Sequence, residues 1–287
     1  MLTLTEGLSV EGGLSASRGL SVSDGLSPDT ATAARLWADA VVANGGTVSS
    51  ERLAIVSAFI RAETAMGRWA LTDDYWGLWA ENEAQALTSL RQLRLATAVA
   101  APTFTPDRGY VFNGVTQYID TGFVPSTHAI AMTLNSVHAE VYERTNLSDG
   151  NNISFGGGSG SNRSVAVAPR AASACRGFSN SSFAAFTLPA ADSRGLTQMG
   201  RAGAATTDAY GAKNGVNMTR TSAPAALGAS LPAHSFYIGA FDSAGVLSSA
   251  RAASVGYTAA GAALSEAQRL ARYNAVQAWA VSVGANV

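Results

Sequence analysis

The sequence predicts a mainly β protein: an antiparallel β-sandwich preceded by a small helical part and an extended N-terminal repeat. Three observations predict it. Residues 1–27 write Gly-Leu-Ser four times at a spacing of six, from Gly7, Gly13, Gly19 and Gly25. Residues 28–101 carry apolar side chains at helical spacing. From 102 to 287, short runs rich in Val, Phe, Tyr, Thr and Ile alternate with clusters of Gly, Asn, Ser and Asp, the pattern of many short strands joined by turns.

In the repeat, Leu2, Leu8, Leu14, Leu20 and Leu26 recur every six residues, with Val10, Ala16 and Val22 two places after three of them. Leu-Ser-Val is apolar-polar-apolar, the period of a strand with one buried face. A single ribbon of this kind buries too little to persist in water. Leu2, Leu8, Val10, Leu14, Leu20 and Val22 are therefore expected to bind copies of themselves, as an anchor that makes a homo-oligomer.

The helical part opens with Ser27-Pro28-Asp29, an N-cap with proline at the first helical position. Leu36, Trp37, Ala40 and Val41 form a face that Asn44-Gly45-Gly46 ends. After Ser49-Ser50, Leu53, Val56, Phe59 and Ile60 mark a second helix closed by Gly67. Thr72-Asp73-Asp74 is expected to cap a third helical stretch carrying Tyr75, Leu78 and Trp79, continued by Ala84, Leu87 and Leu90. Trp69, Trp76 and Trp79 sit beside leucines at helical spacing and are expected in a core rather than on a sugar-stacking surface.

The third segment supplies the strands YVFNG, TQYIDTGFVP, AIAMTLN, HAEVYE, NISFGGG, SVAVAP, FYIGAF and AASVGYT. Lys213-Asn214-Gly215 is a hairpin turn. Ser265 and Gln268 form a capping box for a terminal helix whose stripe is Leu270, Tyr273, Val276 and Ala280.

Charge excludes some classes. A net charge of -1, with 14% charged residues, offers no surface to neutralise phosphates. Lys213 is the only lysine, and Cys175, the only cysteine, has no histidine nearby with which to hold a metal. No stretch approaches the ~18 apolar residues of a membrane span, and the N-terminus lacks the pattern of a cleaved leader.

The run APTFTPDRGYVFNGVTQYIDTGFVPS, with ADSRG, FYIGAFDSAG and LSEAQRLARYNAVQAW, resembles the concanavalin-A-like (laminin-G-like) jelly-roll domains of virion proteins from alphaproteobacterial phages and gene transfer agents. ALTDDYWGLWAENEAQALTSL resembles their helical lead-in. The resemblance covers roughly residues 68–287. It implies a jelly-roll sandwich on a virion surface, made in the bacterial cytoplasm, that adheres to host surface or capsular polysaccharide. A trimer or pentamer would be joined to capsid or tail proteins through its N-terminus, as a head spike or tail fibre. A ligand-free spike or decoration protein is the alternative, and a capsule-degrading glycosidase a lesser one.

The residues give hydrolysis little. Glycosidases need two facing carboxylates, and no acids of the third segment stand two or four apart; Glu140 and Glu143, three apart, fall on opposite faces of a strand. No G-x-S-x-G accompanies His128, His138 or His234. A non-enzyme is expected. Sugar hydroxyls would be met by loop side chains: Asn146, Asp149, Asn151, Asn152, Arg163, Asp192 and Arg194. No cofactor is expected, because Asp149-Gly150-Asn151-Asn152 offers Ca²⁺ one carboxylate where about six to eight oxygens are wanted.

Overall fold

The computed structural model describes residues 30–150, 152–158, 164–181, 185–222 and 226–287. The repeat residues Leu2, Leu8, Val10, Leu14, Leu20 and Val22, the Ser27-Pro28-Asp29 cap, Asn151 and Arg163 lie outside the described residues.

Two antiparallel sheets face one another, as the sequence predicts. The first runs Val216–Asn217, Ala209–Lys213, Gly195–Ala202, Ser136–Glu143, Ser254–Gly261, Gly109–Val111 and Thr103–Thr105. The second runs Phe186–Pro189, Ala174–Ser181, Ser164–Ala171, Phe155–Gly158, Tyr237–Ile238, Tyr118–Asp120 and Thr97–Val99. Phe241–Ser243 joins the second sheet parallel to Phe155–Gly158.

The strand Ser136–Glu143 explains the layering. Its side chains alternate, and Val137, Ala139 and Val141 enter the core between the sheets, with Phe155, Val165, Val167 and Ile238. Tyr142 points the other way, into a second core made with Trp37, Val56, Phe59, Ile60, Val276 and Trp279. Helices Thr30–Ala43, Ser50–Ala65 and Glu266–Ser282 thus form a third layer on the outer face of the first sheet.

The third helical stretch is a correction. Thr72–Gly77 is a strand paired antiparallel with Ser254–Gly261, and only a short helix, Glu83–Leu87, follows it. All six of its residues are buried, so no polar-apolar alternation marks it as a strand. Its aspartates, which look like caps, instead serve distant backbone. The Asp73 carboxylate accepts from the N–H groups of Ile130, Ala131 and Met132 at 2.7, 2.6 and 3.0 Å. Those bonds also explain why AIAMTLN is not a strand, since its donors are taken by a side chain.

Two helical faces are rotated from expectation. Leu36 and Leu270 are exposed, while Trp37 and Val41, and Arg269, Arg272, Val276 and Trp279, are buried. Arginines occupy the inward stripe of the terminal helix, which apolar periodicity alone does not reveal. The Ser265/Gln268 capping box forms. Asn214 and Gly215 take φ of +50° and +76°, the pair of positive values that a two-residue hairpin turn requires. Trp69, Trp76 and Trp79 are core residues.

Candidate functional site

The acids of the sandwich divide into those sealed inside and those at a loop end. Glu140 points from the first sheet toward the helices. It accepts from Tyr257 Oη at 2.9 Å and Gln198 Nε2 at 2.9 Å, and it pairs with Arg272. Arg272 also binds Glu63 Oε2 at 2.6 Å and Thr72 Oγ1 at 2.7 Å, and Arg68 Nη2 closes on Glu63 Oε1 at 2.8 Å. Burial alone would raise the Glu140 carboxyl, but the Arg272 guanidinium, His138 and the hydrogen bonds from Gln198 and Tyr257 together hold the group below its ordinary value. Glu63, Glu140 and Arg272 are all inaccessible to solvent, so this cluster fastens helices to sheet and meets no substrate.

Glu143 lies on the opposite face, as the spacing of three predicts. There it takes Arg251 Nε at 2.7 Å and Nη2 at 3.1 Å. His138 gives its Nδ1–H to the Ala262 carbonyl, and burial pushes its pKa down. It is a buried core histidine, and its Nε2 has no hydrogen-bond partner among the described residues.

Several of the predicted sugar-binding residues meet at one end of the sandwich. Asn146 Oδ1 accepts from Arg170 Nη1 at 3.1 Å and from the Ser193 backbone N–H at 3.2 Å. Ser193 Oγ accepts from the Leu147 N–H and donates to the Thr145 carbonyl, both at 2.8 Å. These bonds bring the loop around 146 against the loop around 193. Asp192 and Arg194 form a two-pronged pair on the rim, with Nη2–Oδ2 at 2.7 Å and Nε–Oδ2 at 3.0 Å, which lowers the aspartate pKa and raises that of the arginine.

Asp149, with Asn152 bound to it, is held by Arg251, which also donates to the Arg170 and Leu147 carbonyls beside Asn146. The Asp149 carboxylate is paired with Arg251 and accepts from Asn152 Nδ2 at 3.2 Å. A guanidinium therefore stands where the loop would have needed a cation. No group of three or more His, Cys, Asp or Glu that could hold a metal ion is gathered among the described residues.

Beside the Asp192–Arg194 pair opens a cleft of about 380 Å³, lined among others by Pro189, Asp192, Arg194, Lys213, Asn214 and Met218. Sequence reasoning assigned Lys213 only to a turn. The turn is real, but it also delivers the lysine to the cleft: Asn214 Oδ1 accepts the Leu196 N–H at 2.8 Å, and Lys213 Nζ donates to the Ser193 carbonyl at 2.8 Å and Thr197 Oγ1 at 2.9 Å. Its being the only lysine was the available signal.

Among the described residues no aromatic ring lines the cleft, and all five tryptophans are buried. An aromatic pair nearer the surface is Tyr118 on Tyr237, 4.3 Å between centroids, on the second sheet beside Asp120.

No family model and no curated protein matches the chain. Among solved structures it is similar to domain 4 of AbnA, a GH43 extracellular arabinanase from Geobacillus stearothermophilus, in complex with arabinotriose. The identity is 13% and the TM-score 0.42, over 70% of this chain and 97% of that one. It is also similar to Trypanosoma rangeli sialidase. With 2,3-difluorosialic acid bound, the match has 14% identity and a TM-score of 0.47, covering 77% of this chain and 39% of that one. With sialic acid bound, the values are 14%, 0.44, 77% and 38%. At this distance no residue role passes from them to this chain, and the sandwich assignment rests on its own strand pairings.

Proposed function

We propose that this chain is a non-catalytic glycan-binding protein that attaches a phage or gene-transfer-agent particle to bacterial surface polysaccharide. The observation that carries the binding half is the loop-end cleft, where Asp192, Arg194 and Lys213 bring charged and hydrogen-bonding groups to one concave site of the size small ligands use. The non-catalytic half draws on the fate of Glu140 and Glu143, which lie on opposite faces of one strand, each tied to an arginine. The virion half draws on the sequence resemblance over residues 68–287 and on the Gly-Leu-Ser repeat.

The repeat gives weak sites a use. Several sandwiches held together gain avidity with no new contact, so the protein acts as a homo-oligomer, trimer or pentamer, joined to capsid or tail by its N-terminus. The test is binding of the full chain to capsular polysaccharides of candidate hosts, beside a Leu8→Ser/Leu14→Ser/Leu20→Ser variant. Strong binding by the parent and weak binding by the variant is expected. No binding by either leaves a structural spike, and shortening of the polysaccharide on incubation makes the protein a depolymerase.

A further inference from the structure

We infer that the cleft beside Asp192 takes an acidic sugar, with the Lys213 ammonium meeting its carboxylate. The inference rests on the glycan-binding reading above and names the sugar class.

The argument starts from one unbalanced charge. Lys213 Nζ has three donors, and two are spent on the Ser193 carbonyl and Thr197 Oγ1. Among the described residues no carboxylate lies within salt-bridge range of it. Two nearby side-chain anions each have another cation: Asp192 is gripped by Arg194, and Glu143 by Arg251. The neighbouring Cys175 thiol is pushed up to about 11 by burial, so it is neutral at pH 7. Burial pulls Lys213 down to about 8, yet it stays mostly protonated at neutral pH.

A half-buried ammonium without an anion is costly to keep, and such costs gather at functional sites. Because Arg194 is closed by Asp192, Lys213 is the cationic side chain lining the cleft that has no salt-bridge partner among the described residues. Neutral hydroxyls would satisfy its third donor but not its charge. A uronate carboxylate satisfies both. Among the described residues the wall has no ring on which a sugar could stack, so ionic contact takes the part that stacking plays in other sugar sites.

The single lysine makes the test direct, because biosynthetic labelling with ¹³Cε-lysine gives one side-chain resonance from the full chain. Galacturonate trisaccharide is titrated against it, with galactose trisaccharide as the neutral control. The expected result is a saturable shift with the uronate alone and a rise in the titration midpoint of Lys213 from near 8, since a nearby carboxylate favours the charged amine. Lys213→Gln should weaken uronate binding on the order of tenfold or more, and Lys213→Arg should retain part of it. If Lys213→Gln does not fold, the titration of the parent protein decides. An equal response to both trisaccharides, or uronate binding that leaves the resonance unmoved, overturns the acidic-sugar assignment while glycan binding stands. Absence of binding to these sugars and to every capsular polysaccharide overturns both.

Discussion

Replacing Arg272 by methionine tests whether the buried cluster is a structural lock. The guanidinium serves Glu63 Oε2 at 2.6 Å and Thr72 Oγ1 at 2.7 Å and pairs with Glu140, with no solvent access to any of the three charged groups. Methionine fills similar space but leaves two carboxylates sealed in the interior, with Arg68 alone to answer Glu63 and no cation for Glu140. Removing one partner of a buried ion pair costs about 3–5 kcal/mol. Against a total stability of roughly 5–15 kcal/mol, that is a large share. For a protein of this size it corresponds to a fall in melting temperature of roughly 6–20 °C. Chemical denaturation followed by tryptophan fluorescence reads the change well, because Trp79 and Trp279 lie in the same core. The double variant Glu140→Gln/Arg272→Met leaves Glu63 paired with Arg68 and removes the carboxylate that has lost its cation, so it should recover at least half of the loss. A double variant no more stable than Arg272→Met would refute the argument, as would a single variant that melts with the parent.

Asp74 carries a pH-dependent prediction. Burial raises its carboxyl from 3.8 to about 6 against the hydrogen bonds that oppose it, so the folded state holds this proton more tightly than the unfolded one. Its contribution is most favourable below about pH 4 and is lost as pH rises through about 6; the difference of about 2 units is worth ~3 kcal/mol. Asp74→Asn should therefore match the parent near pH 3.5 and exceed it at pH 8, as read by denaturation at both pH values. Gly256→Ala should lose about 1–3 kcal/mol, because a methyl there would sit 1.8 Å from Trp79 Nε1; thermal melting checks it. Gly215→Ala places a side chain at φ +76° and 2.8 Å from Leu270 Cδ1, and should cost about 1–2 kcal/mol without changing the oligomer. The Leu8→Ser/Leu14→Ser/Leu20→Ser variant should sediment as a monomer, and an unchanged sedimentation coefficient counts against the repeat as the oligomerisation element.

Local chemistry was legible in the sequence by itself. The Ser265/Gln268 box, the Asn214-Gly215 turn and the alternation along Ser136–Glu143 each depend on neighbours within a few residues, so the chain carries their instructions in place. The sandwich followed from many such signals, and the opposite facing of Glu140 and Glu143 followed from strand geometry. The residues 146, 192 and 194 were legible as polar loop positions, but not their meeting, which depends on Ser193 reaching across 46 to 48 residues. Tertiary structure alone decided that Thr72–Gly77 is a strand, because a strand buried on both faces has no alternation to display. It alone turned the terminal helix so that Arg272 points inward, since its partners Glu140 and Glu63 stand 132 and 209 residues away. Lys213 shows the same division: its turn is written in the tripeptide Lys213-Asn214-Gly215, while its lack of a salt-bridge partner among the described residues is decided by tertiary contacts, with Arg194 holding Asp192 and Arg251 holding Glu143.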